Sequence, residues 1–428
     1  MRQPQWQAAG LHLHQGHVGN GACCQTARGG ARTPELYTEL MKFLGRYKQG
    51  FFSPHCCIMG SCTATTQRIL LLVVACISIA TGLWINRKAV HEDPKPDLEA
   101  FGKLNLAQAR KALGFPDYSM LMCSGPKCER FERILMTLIY VFKLMNSGKA
   151  GHGGFMVLLS MSLPLVLAMC AQALKPETTF LQRGISVTIV ILFGQVFCLG
   201  ASLPLLYIPI MAFVRSLDLL KTCPERPYGK YAPFLIKQLV TSMCIMAVVN
   251  VLAPMDHWTW SYINFVFQFS PIIMLSLSAF TALFGRQKSV TTTKVSIFFE
   301  DDCLVSAAMY WYGMYHLLPT LGRWYRGEDL ILNDGEKLIL WDNVGIFLTL
   351  IYWVVVDGIA DYQLMFEQTR PLHRVSPMAW ILGIIRSIFI AVFFGPGVVM
   401  DLYFAGREDA VTPVHSFIKQ DLPKQKRS

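Results

Sequence analysis

Charge is what this sequence has least of. Asp, Glu, Lys and Arg make up 16% of its 428 residues, against 53% hydrophobic ones. A soluble globular chain carries roughly a quarter charged residues, so the deficit excludes an ordinary water-soluble domain and points to a polytopic membrane protein. Several motifs of soluble enzymes are missing too: a Walker loop, Gly-x-Gly-x-x-Gly, a nucleophile-elbow serine and His-Glu-x-x-His. Their absence argues against the nucleotide, serine-hydrolase and zinc-protease chemistries they serve. The thirteen cysteines lack zinc-type spacing on both halves of a site, so no metal and no cofactor is expected. No nucleic-acid motif accompanies the net charge of +11, and Lys and Arg flank apolar runs as cytoplasmic loops do. No nucleic-acid partner is expected. No internal repeat is visible, which argues against inverted-repeat transporter folds.

What is present is a series of long apolar runs. The fold class expected is all-α: a polytopic integral membrane helical bundle of about eight transmembrane helices, within a range of about seven to nine. The spans read as Ile69–Ile85, Phe155–Leu174, Gly184–Val214, Ala232–Ala253, Trp260–Phe284, Leu304–Leu321, Val344–Tyr362 and Ala379–Phe404. Ile134–Met145 is short for a crossing and reads as an interfacial helix. Gly184–Val214 is long for one crossing, and Pro204 and Pro209 predict a kinked or broken helix there. Four zones follow: a variable N-terminal segment over 1–66, an anchor with a polar loop over 67–154, a membrane core over 155–405, and a polar basic tail over 406–428. The first zone is Arg-bearing and acid-poor, as transit peptides are, or is an extension ahead of a start at Met59. Basic residues favour a cytoplasmic side for Arg215–Tyr231 and Arg286–Lys294, placing Arg323–Trp341 in the lumen. Cys123 and Cys128 read as a candidate lumenal disulfide in preference to metal ligands.

The chemistry-bearing residues are those placed against hydropathy. Asp357 and Asp361 lie one turn apart in the apolar run that starts at Val344, so they share a helix face. A carboxylate in hydrocarbon costs on the order of 3 kcal/mol, and two on one face cannot both ionise easily. One is therefore expected as a neutral acid, able to protonate an alkene, an epoxide or a carbonyl. Asp342, beside Trp341 at the mouth of the same run, reads equally as that acid or as a helix N-cap. His316 sits among Trp311, Tyr312 and Tyr315, as a candidate proton-transfer partner or a packing histidine. Those aromatics, with Trp341 and Trp353, belong to an interfacial belt or line a cation path. Glu300-Asp301-Asp302 lacks diphosphate-motif spacing and reads as a helix cap before Leu304.

Between Phe180 and Asp409 a set of short motifs recurs: Gln195 followed by Gly200-Ala-Ser-Leu-Pro204-Leu-Leu-Tyr207, then Leu252-Ala-Pro254, Ser306-Ala with His316, Leu340-Trp341-Asp342, and Phe393-Phe-Gly395-Pro396-Gly397. This pattern resembles the fungal membrane-bound terpene cyclases of the ascofuranone and macrophorin type, encoded in meroterpenoid gene clusters. The resemblance implies a cyclase that needs no diphosphate ionisation. Such a protein protonates a terminal epoxide, alkene or allylic alcohol on a prenyl chain and steers the cation through ring closure. The implied partners are an apolar prenylated small molecule and membrane lipid, in the endoplasmic reticulum. Asp342 and Asp357 remain alternatives for the acid, with His316 as orienter or final base. The rival reading is a proton-coupled carrier with Asp357, Asp361, His316 and Arg386 as its relay, and the blander one a membrane scaffold. Neither the residues nor the resemblance assigns an oligomeric state.

Overall fold

The computed structural model describes residues 64–91, 95–115, 121, 125–174, 186–218, 232–252, 255, 258–270, 272–273, 276, 295–329, 332–360 and 377–421. Every regular element among them is helical, as expected where backbone polar groups must be satisfied inside each segment. The elements are α1 (Ala64–Asn86), α2 (Pro96–Gly102), α3 (Leu106–Ala112), α4 (Pro126–Ser147), α5 (Lys149–Ala173), α6 (Ser186–Phe197), α7 (Leu199–Ser202), α8 (Ile208–Asp218), α9 (Ala232–Leu252), α10 (Trp258–Phe267), α11 (Ser296–Tyr325), α12 (Asp334–Ala360), α13 (Pro377–Phe394) and α14 (Pro396–Asp421). Among the described residues four stretches are long and apolar enough to cross a membrane: Thr65–His91, Lys149–Ala173, Leu199–Leu217 and Asp334–Ala360. They make the chain compatible with an integral membrane protein. The segment read as interfacial, Ile134–Met145, lies inside the 22-residue α4.

The break expected in Gly184–Val214 is present, but upstream of both prolines. α6 ends at Phe197, and Cys198 takes φ 73° and ψ 144°. Pro204 falls in a π-helical turn, Leu203–Tyr207, that leads into α8. The reading of Ala379–Phe404 as one uninterrupted span needs correction. The chain divides at Gly395, whose φ of 101° is one that glycine adopts without a side-chain clash. There the free carbonyls at the end of α13 are met by side chains of α11. The Tyr310 hydroxyl donates to the Val392 carbonyl and the Trp311 indole N–H to that of Phe393. A helix end needs such partners where water is absent. Where a polar tail is expected from residue 406, α14 continues to Asp421, and Arg407 and Glu408 are buried.

Helices α5 and α14 form the centre. α5 is buried along most of its length, and α14 is buried on every side from Met400 to Glu408. Such all-round burial marks a helix enclosed by others. Close approach uses small residues, as membrane helices do. Gly153 of α5 and Gly313 of α11 each pack on the other's carbonyl. Two further contacts share one device. Pro164 has no N–H for the Ser160 carbonyl, and Gly397 of α14 rests on that oxygen. Pro204 likewise has none for the Gly200 carbonyl, and Gly345 of α12 rests there. A proline exposes a carbonyl, and a glycine from another helix covers it. At the start of the bundle Cys128 of α4 is disulfide-bonded, while Cys123 lies outside the described residues.

Candidate functional site

Asp342 lies two turns into α12 and is buried, 4% exposed. The break at Cys198 aims the first turn of α7 at it. Gly200 N–H donates to Oδ1, and the Leu199 N–H and the Cys198 thiol also reach the carboxyl. Gly200 and Gly345 let the two backbones meet so closely, since a Cβ on either would overlap the other chain. Its neighbour Trp341 faces Trp84 of α1 edge-on, ring centroids 5.2 Å apart. Among the described residues every polar contact to this carboxyl is a neutral donor. As an N-cap the residue serves the broken helix across from it, in addition to standing near the start of its own.

Asp357 is set differently. Arg407 Nε lies 3.1 Å from Oδ2 and Arg215 3.8 Å from Oδ1. The Trp353 indole N–H and the Tyr403 hydroxyl donate to Oδ2, at 3.1 and 3.2 Å. This is a closed ion-pair cluster that ties α8, α12 and α14 together. Both arginines come from distant parts of the sequence, so Asp357 gives no local sign of them. Asp342 and Asp357 are about four turns apart on α12, roughly 22 Å along its axis. They cannot serve one reacting atom. Asp361 lies outside the described residues.

His316 makes ring contacts with Tyr312, Tyr315 and His152 at 4.8, 5.2 and 5.2 Å. His152 of α5, which the sequence reading does not single out, is the hub of this group. Its Nδ1 is 3.2 Å from Asn146 Oδ1 and its Nε2 3.1 Å from the Tyr312 hydroxyl. His316 bonds to neither Asp342 nor Asp357 among the described residues. The expected aromatic lining is likewise dispersed. Trp353 is buried against Tyr207 and Phe404, Trp311 closes the end of α13, and Tyr315 is 74% exposed.

A further acid pair is found where a helix cap is expected. α11 starts at Ser296 instead of near Leu304, so Asp302 lies in its second turn and faces inward beside Phe299 and Ser306. There it meets Asp401 of α14, side chain to side chain. Asp401 sits in the apolar run Ala379–Phe404 and satisfies the criterion that singles out Asp357. Among the described residues no group of three or more His, Cys, Asp or Glu converges as a metal site. Compared with protein-family models, curated proteins and solved structures, the chain matches none.

Proposed function

We propose that this chain is an integral membrane terpene cyclase that protonates an epoxide, alkene or allylic alcohol of a prenylated precursor and directs carbocation ring closure. Asp342 is its general acid. The observation that carries this reading is the neutral donor set around a buried carboxyl. Once the proton has passed to substrate, the Gly200 and Leu199 N–H groups and the Cys198 thiol hold the new carboxylate. Preorganised donors aimed at charge that develops during reaction are a strong catalytic device. The half-helix N-terminus adds its dipole to the same end. Asp357, already matched by Arg215 and Arg407, takes the structural role in this reading. Trp341 adjoins the acid in sequence and packs on Trp84, and in this reading the two supply ring faces to a passing cation. In this reading about eight helices cross the membrane of the endoplasmic reticulum, whose oxidising lumen accounts for the disulfide at Cys128.

One observation favours the carrier reading. A discontinuous helix whose N-terminus faces a buried carboxyl is also how several transporters bind substrates and ions. A single experiment separates the two. The chain is expressed in a host supplied with prenyl-epoxide phenols, and products are examined by mass spectrometry and NMR. The cyclase reading expects cyclised isomers of unchanged mass. Asp342→Asn lowers their formation by about 10²–10⁴-fold at equal expression, the usual contribution of a general acid. Uptake without isomerisation, or full activity in Asp342→Asn, removes the reading.

A further inference from the structure

The acid pair between α11 and α14 takes no part in the chemistry given to Asp342, and it lacks what two buried carboxylates need. Asp302 and Asp401 are 2% and 0% exposed. Their carboxyl groups are in hydrogen-bonding contact, yet an ionised carboxylate only accepts. Among the described residues one donor reaches them, the Ser306 hydroxyl, 2.9 Å from Asp401 Oδ2. Both oxygens of Asp302, and Oδ1 of Asp401, find no donor among the described residues. Among the described residues the other titratable groups interacting with the pair are Asp301 and the buried Cys303 thiol, with Glu300 beside that thiol. None of them brings positive charge. Arg407 lies farther along α14 and is turned to Asp357 and Glu408.

We propose that Asp302 and Asp401 form a proton-binding site inside the bundle, with one exchangeable proton bridging Asp302 to Oδ1 of Asp401 while Ser306 holds Oδ2. The proton makes one carboxyl a donor and leaves the pair a single negative charge, as in other dyads of close carboxyls. A hard divalent cation fits less well, because it takes six or more oxygens and this site brings three side chains. Losing the proton sets two anions against each other across the α11–α14 contact, so the packing of these helices is linked to its occupancy. The inference is independent of the cyclase reading, since the proton is held whether or not Asp342 acts on a substrate.

Infrared spectroscopy of the purified full chain in lipid nanodiscs, compared between neutral and alkaline buffer, tests it. Beside the band that Asp342→Asn removes, the wild type is expected to show the carbonyl stretch of a second protonated carboxyl at neutral pH, and Asp302→Asn and Asp401→Asn each to lose that second band. Either amide can donate to the remaining carboxylate in the proton's place, so both variants should fold. Persistence of the band in both variants, or its absence from the wild type, overturns the proposal. Dicyclohexylcarbodiimide supplies a second readout on the wild type alone. It adds a protonated carboxyl across a C=N bond and rearranges to an N-acylurea with no atom lost. Mass spectrometry should find the adduct on Asp302 or Asp401, and its absence from both counts against the site. A sodium-dependent rise in melting temperature that both variants abolish assigns the site to a metal ion instead, which also overturns the proposal.

Discussion

Asp342 and Asp357 share a helix and a depth of burial, and differ only in what meets them. Neutral donors surround the first, and two guanidiniums close on the second. Removing one partner of a buried ion pair leaves an uncompensated charge and costs about 3–5 kcal/mol. Arg407→Met is therefore expected to destabilise the chain by that order, read as a fall in melting temperature in detergent. An unchanged melting temperature would show that the cluster carries no structural weight. Cys198 offers a finer test. Its φ and ψ fall in a region that is essentially glycine's, at a cost of about 1–3 kcal/mol. Cys198→Gly should raise stability and Cys198→Ala should not, while both remove the thiol donor to Asp342. If turnover falls alike in the two variants, the thiol and not the backbone is what catalysis uses.

Among the elements, the recurrent device is the proline-exposed carbonyl covered by a glycine. Gly345→Ala and Gly397→Ala would each drive a methyl into such an oxygen, at a cost of about 1–3 kcal/mol typical of overpacking. Gly383→Ala in α13 meets open space and should instead gain up to about 1 kcal/mol from helix propensity. Chemical denaturation in one detergent decides whether the three variants separate in this way. The helices themselves were legible from the apolar runs, and so was a break before α8. Its place was not, because the chain turns at a cysteine in a conformation that glycine ordinarily supplies. The division at Gly395 was missed for a related reason. Phe-Phe-Gly-Pro-Gly lies within continuous apolar sequence, and the donors that make a helix end tolerable there come from Tyr310 and Trp311, far away in the chain.

Over the molecule as a whole, two ends are chemically distinct. Gln67 at the start of α1 reaches the Ile359 carbonyl near the end of α12, on the side where Arg215 and Arg407 meet Asp357. Trp84 and Trp341 meet at the other end, where Met145 of α4 packs at Gly335. In the proposed reading the basic residues put the first end in the cytoplasm and so the second in the lumen. Glu328→Cys, in the exposed turn after α11, should therefore react with an impermeant maleimide only after microsomes are opened. Labelling of intact vesicles would reverse the orientation. Of the candidate site, Asp342 and Asp357 were legible as charges placed against hydropathy, whereas their partners were not: Gly200, Arg215 and Arg407 come from other helices, and no local pattern announces them. The capped end of α13 carries a consequence for biosynthesis. Two of its terminal carbonyls depend on Tyr310 and Trp311, which leave the ribosome before α13 does. The late helices thus arrive at a docking point already built, and Tyr310→Phe combined with Trp311→Phe should make their insertion fail while the earlier helices still enter the membrane.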